Sequence, residues 1–176
     1  CRVSAIIRVT LQEIFLMEHQ EELLDDTATS RLERLIEDVR ERRLEPVDFV
    51  KALVNDQVYL LLNKPWDGRS VPQENTSMLL VSDGPNRNQA MLAVFSDERK
   101  AKAFCDHAEG FGHVVKVPGP VAFLGVAADQ GMIVNPNFKN TFRITIAAAA
   151  EVRGTMQQRL AQMTTQDTAG STETAA

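Results

Sequence analysis

The stretch QVYLLLN, residues 57–63, constrains the fold more than any other part of the chain. It has strand length, and it lacks the polar alternation that would give a strand one wet side. A strand apolar on both faces needs cover on both faces, which helices normally supply. The expected architecture is therefore a covered sheet rather than a hairpin lying on solvent. The composition allows it, because hydrophobic residues make up 44% of the 176-residue chain. That is enough for a core and argues against wholesale disorder.

The flanks supply the covering helices. Ser30 and Glu33 fit a capping box, with the hydroxyl accepting from an early backbone N–H and the carboxylate reaching back. Leu32, Leu35, Ile36 and Val39 then fall on one helical stripe. Arg40, Arg42 and Arg43 close that helix, where cations suit the dipole, and interleaved Glu37, Asp38, Glu41 and Glu45 make it a solvated end. Pro46 opens a second helix with Val47, Val50, Leu53 and Val54 as its apolar face, and Asn55-Asp56 ends it.

After the 57–63 strand comes a long turn-rich loop holding Trp66, the single tryptophan. A tryptophan there either caps an edge of the core or marks a binding surface. SMLLVSDG and QAMLAVF read as a hairpin turning at Asp83-Gly84-Pro85-Asn86. Ser96 reads as the cap of a helix with Asp97 and Glu98 in its first turn and Ala101, Phe104, Cys105 and Ala108 as its apolar stripe. On that stripe Cys105 is expected to be a small buried hydrophobe rather than a nucleophile. HVVKV is a strand, and Gly119-Pro120 starts a helix through Asp129 with Gly131 as its stop. MIVN and FRITI are the last strands. Thr145 caps an alanine-rich helix over 146–163, and residues 164–176 read as a disordered tail. The sum is a single α+β (or α/β) domain over 17–163, a mixed sheet of about five or six strands with an N-terminal helix pair.

Chemistry-bearing patterns are few. His19, His107 and His113 do not form a metal-ligand spacing, and Gly110-Phe111-Gly112 follows a helix, the reverse of the dinucleotide fingerprint. No nucleophile elbow or P-loop occurs, so no cofactor, no metal and no enzymatic activity are expected. A net charge of −5 with interspersed basic residues argues against nucleic acid. No run of about 18 uncharged apolar residues suits a membrane span. Two cysteines, Cys1 and Cys105, fit a reducing, cytoplasmic setting better than a disulfide framework. The chain opens on Cys1 rather than Met. Residues 1–16 read as an extension upstream of a start at Met17, or as part of a fragment, because a lipobox that would support a lipid-bearing Cys1 is missing.

Four stretches, in this order, carry a family resemblance: VDFVKALVNDQVYLLL, LAVFSDERKAKAF, VPGPVAFL and GMIVNPNF. Together they resemble the N-terminal domain of the SseB family, bacterial proteins associated with enhanced serine sensitivity and, in some genomes, with type III secretion. The resemblance covers roughly residues 30–163. The chain departs from the family where Gly-Ser often follows Asn-Pro, since Asn137-Phe138 stand there, and the second domain that members can carry is not expected within these residues. The resemblance implies a non-catalytic domain that binds or regulates an unknown protein partner. The alternatives are a domain for a small ligand, conceivably an amino acid, and an enzyme of unknown type. An interaction surface is expected around Trp66, Asn135, Pro136 and Phe138. Asn135 itself has two readings. It stays extended before Pro136 and closes an Asx-type turn with its side chain, or it presents its amide to a ligand at a strand end.

Overall fold

The computed structural model describes residues 30–68, 72–82 and 89–169. Expectations for residues 1–16, for the turn at 83–86 and for residues 170–176 fall outside them.

Two helices lead. α1 spans Arg31–Arg40, with Ser30 Oγ accepting from Glu33 N at 3.2 Å, the first half of the capping box. Leu32 and Ile36 are buried at 2% exposure each, with Leu35 and Val39 packed at the margin. α2, Pro46–Val54, begins at the proline and buries Phe49 and Leu53. Its inward face is rotated from the expected one: Val47 is 58% exposed and Phe49 fully buried. Phe49 reaches the Phe142 ring with centroids 4.4 Å apart. Burying a side chain of that size contributes roughly 1.5–3 kcal/mol, and tertiary contact rather than spacing decided which residue received it.

The strands are β1 (Gln57–Leu62), β2 (Leu80–Ser82), β3 (Ala90–Phe95), β4 (His113–Pro118), β5 (Gly131–Val134) and β6 (Phe142–Ile144), interspersed with α3 (Glu98–Cys105), α4 (Gly119–Gly125) and α5 (Ile146–Ala169). They form one mixed sheet in the order β4-β1-β3-β5-β6, and β2 pairs with β3 alongside β1. All named pairings are antiparallel except β3 with β5, which are parallel. β1 is buried on both faces as its composition requires. Val58, Leu60 and Leu62 meet α1, α2, α4 and α5, while Leu61 joins Phe95, Ala101 and Phe104 on the α3 side. The molecule is a single α+β domain.

Three boundaries differ from the pattern in the sequence. α4 stops at Gly125 rather than Asp129, and Gly131 opens β5 instead of closing a helix. A Cβ on Gly131 would lie 2.7 Å from Ile144 O, so strand approach demands the glycine. α5 runs on to Ala169 rather than ending at Met163, and Thr145 Oγ1 accepts from Ala148 N at 3.3 Å at its start. The α3 cap is Asp97, whose carboxylate accepts from Arg99 N at 2.6 Å, not Ser96. Ser96 lies one residue earlier, buried, with other partners.

Candidate functional site

Those partners form a buried polar cluster. β3 and β5 run parallel with Val94 beside Val134, so Ser96 and Asn135 leave the same end of the sheet side by side. Asn135 N donates to Val94 O at 2.8 Å and extends the ladder by one step. Asn135 Oδ1 accepts from Ser96 N at 2.9 Å, and its Nδ2 donates to Ser96 Oγ at 2.8 Å and to Asn140 O at 3.3 Å. The Ser96 hydroxyl has two acceptors for its own proton, Glu33 Oε1 at 2.8 Å and Asn135 Oδ1 at 3.1 Å. Lys100 Nζ lies 3.7 Å from the same oxygen and 4.5 Å from the centroid of the Phe138 ring. Glu33 and Asn135 are fully buried, and Ser96 and Lys100 are 7% and 8% exposed.

Glu33 comes from α1, which grips this end of the sheet along a polar face. Asn140 Nδ2 donates to Glu37 Oε1 at 3.4 Å, and Arg40 Nη2 donates to Lys139 O. Glu33, Glu37 and Arg40 stand at i, i+4 and i+7, a stripe beside the apolar one. Glu37 and Arg40 therefore make tertiary contacts, while Arg40, Arg42 and Arg43 are exposed at the helix end as the sequence suggested. Glu33 does more than a capping-box residue would, because its Oε1 is committed to Ser96 and Lys100. Removing a carboxylate or an ammonium from water costs several kcal/mol, offset only where the partners are as complete as these.

The Asn-Pro segment turns the chain, though not as the residue types suggest. Asn135 has φ +51°, in the left-handed region rather than extended, and Asn137 has φ +64°. Phe138 N donates to Asn135 O at 3.2 Å. Pro136 in the second position and a positive φ in the third are the marks of a type II turn. The backbone closes this turn. The Asn135 side chain is used across the sheet instead, and holding the residue there outweighs the local preference that Pro136 imposes. Pro136 is buried and Phe138 half-buried against the α3-side core.

Trp66 lies elsewhere. It is half-buried, packs against the core that contains Val115, and forms one wall of a cleft of about 490 Å³. The opposing wall is α3 with Glu98, Lys102 and Cys105, followed by Asp106, and β4 contributes His113, Val114 and Val115. Asn135, Pro136 and Phe138 are not among these residues, so the four residues expected to share one surface occupy two places. Cys105 is half-buried rather than buried. Burial pushes its thiol pKa up and the Asp106 charge adds to the effect, so the neutral thiol is favoured over the thiolate. Lys102 Nζ sits 2.6 Å from Glu98 Oε1, and that hydrogen bond, with the carboxylate charge, raises its pKa.

β4 terminates the described sheet. Gly119 N donates to Asp56 O at 2.8 Å, so odd-numbered backbone groups on this strand face β1 and even-numbered ones face outward. Gly68, at φ +73°, lies against the outward Lys116 carbonyl, where a Cβ would come within 2.9 Å. Val114, the outward residue before it, borders the cleft.

Glu33, Glu37, Lys100 and Asn140 were not singled out by sequence as members of a tertiary polar site. The i, i+4, i+7 spacing of Glu33, Glu37 and Arg40 was a usable signal for three of these contacts. Lys100, inside the charged run DERK, carries none. No curated protein and no solved structure matches the chain significantly. A family model, the SseB protein N-terminal domain, matches residues 32–150, from the first turn of α1 into α5. That span is well over half of the chain and contains both the polar cluster and the cleft: the chain belongs to the SseB family.

Proposed function

We propose that this chain is a non-catalytic protein-binding domain of the cytoplasm, and that the cleft beside β4 receives an extended segment of its partner. The meeting of Trp66 with the outward-facing backbone of Val114, short of the Lys116 carbonyl that Gly68 lies against, carries the reading. An edge strand offers N–H and C=O groups to an added strand, and a neighbouring pocket selects its side chains. Pro65, Trp66, Val114 and Val115 give this pocket apolar walls. Glu98 is paired with Lys102, and Asp106 adds a further carboxylate to the cleft. That chemistry suits a segment bearing a lysine or arginine beside an apolar residue, with the cation over the indole. Glu33, Lys100, Ser96 and Asn135, the groups best suited to chemistry, are buried in the scaffold and engaged with one another. A free thiol such as Cys105 fits a reducing compartment.

The test is selection of a random peptide library on the full chain. Recovered peptides should combine a basic with an apolar residue and alter the fluorescence of Trp66. Trp66→Ala should weaken their binding at least tenfold. Val114→Pro, which removes an outward N–H while sparing the β1 ladder, should do the same. Leu124→Ala, an exposed site on α4, should change nothing. Peptides that bind all three variants like the parent would overturn the reading. A small ligand, such as an amino acid, is the second reading, favoured by a cleft volume within the range of about 300–1,000 Å³ usual for such sites. Small-molecule binding lost in Trp66→Ala but retained in Val114→Pro would select it.

A further inference from the structure

The buried cluster has the construction of a receptor. In open sheets, ligands bind outside the carboxyl ends of parallel strands, and Ser96 and Asn135 stand at that end of β3 and β5. Ser96 Oγ accepts from Asn135 Nδ2 at 2.8 Å and lies 2.8 Å from Glu33 Oε1, the nearer of two acceptors for its own proton, the other being Asn135 Oδ1 at 3.1 Å. Lys100, carried by α3 and seated over the Phe138 ring, supplies a cation. These groups belong to the sheet, to α3 and to the Asn-Pro turn. The anion they hold, the Glu33 carboxylate, belongs to none of these and is delivered by α1.

We propose that this crevice is a carboxylate-binding site that the chain keeps filled with its own Glu33 side chain, and that a small free carboxylate occupies it when that side chain is withdrawn. Docking of α1 and binding of an external carboxylate then exclude one another. Glu37 with Asn140, and Arg40 with Lys139 O, become the contacts that hold α1 closed. A hydroxyl donor and an ammonium converging on one oxygen match a carboxylate, and a fully buried position excludes the water that would otherwise compete.

The experiment uses Glu33→Ala in the full chain, melted in sodium acetate and in sodium chloride of equal ionic strength, with the parent alongside. Acetate should raise the melting midpoint of Glu33→Ala, by about 3 °C once it exceeds its dissociation constant roughly fivefold and with the logarithm of its concentration beyond that. The parent, its site already filled, should melt alike in the two salts. Adding Lys100→Met to Glu33→Ala should abolish the acetate effect. A Glu33→Ala chain that folds only in acetate would also support the proposal. Equal melting of Glu33→Ala in both salts, an acetate effect that survives Lys100→Met, or a chain unfolded in both salts would each overturn it. Amide resonances give a second measurement: acetate should shift Ser96 in Glu33→Ala and leave it unmoved in the parent.

Discussion

Asn135 carries two demands at one position. Its backbone adopts a left-handed φ, which asparagine tolerates better than most residues, and its amide oxygen accepts from the buried Ser96 N–H while its amide nitrogen joins the Ser96 hydroxyl to the cluster. Alanine fails both demands, adding backbone strain and leaving a buried N–H without its acceptor. Asn135→Ala should cost about 2–4 kcal/mol of unfolding free energy in denaturant titration. Asn135→Gly restores the backbone freedom but not the amide, so it should fall between the parent and alanine. A glycine variant no better than alanine would show that strain is a negligible part of the loss. Cys105 gives a second test at this scale. Its raised pKa means that the fold prefers the neutral thiol. The resulting stability is fully present below the ordinary value of 9.0 and is lost as pH rises through the folded value. In a Cys1→Ser background, disulfide-exchange labelling at pH 8 should be several-fold slower in the folded chain than in urea. Stability should decline above pH 9.0 more steeply than in Cys105→Ser.

Among the elements, helix contacts are set by glycines as much as by apolar stripes. Gly119, the first residue of α4, lies so close to the end of α2 that an added Cβ would stand 2.1 Å from Leu53 O and 3.0 Å from the Val54 Cα. Backbone atoms cannot swing aside, so Gly119→Ala should separate the two helices and cost about 2–3 kcal/mol. Gly154, inside α5, meets nothing within 4 Å of its would-be Cβ. There alanine only raises helix propensity, and Gly154→Ala should stabilise by about 0.5–1 kcal/mol. Melting both variants side by side separates the two roles. If Gly119→Ala melts with the parent, α2 and α4 can move apart freely and the contact does not hold their spacing.

For the molecule as a whole, the family match ends at residue 150 while α5 continues to Ala169. Ala149 is fully buried, and Arg153 Nη1 donates to Val126 O at 2.6 Å, so the first turns belong to the domain. Further along, Thr155, Gln157, Gln158 and Arg159 are exposed. A chain ending at Gln157 should therefore melt within about 2 °C of the full one, as surface changes usually do. A larger drop in the melting midpoint would place a packing surface on the distal part of α5.

The sequence by itself determined the kinds and order of the elements. The apolar stretch at 57–63 required a covered sheet, and Pro46, the stripe at Leu32 and Ile36, and the strand at MIV are legible because each signal lies within one or two turns of chain. The stretches resembling the family are local in the same way. Tertiary structure alone decided the uses of Glu33, Ser96, Lys100 and Asn135. A capping serine, a capping-box glutamate and a turn asparagine all have adequate local roles, so local reasoning assigned them those, and Lys100, inside a charged run, drew no reading. Their actual bonds join positions 39 and 63 residues apart. The low dielectric of a closed interior makes an unpaired polar group costly, and that cost overrides local preferences too small to oppose it. The cleft at Trp66 is a product of assembly as well, since its walls come from a loop, a helix and an edge strand that only the folded sheet brings together.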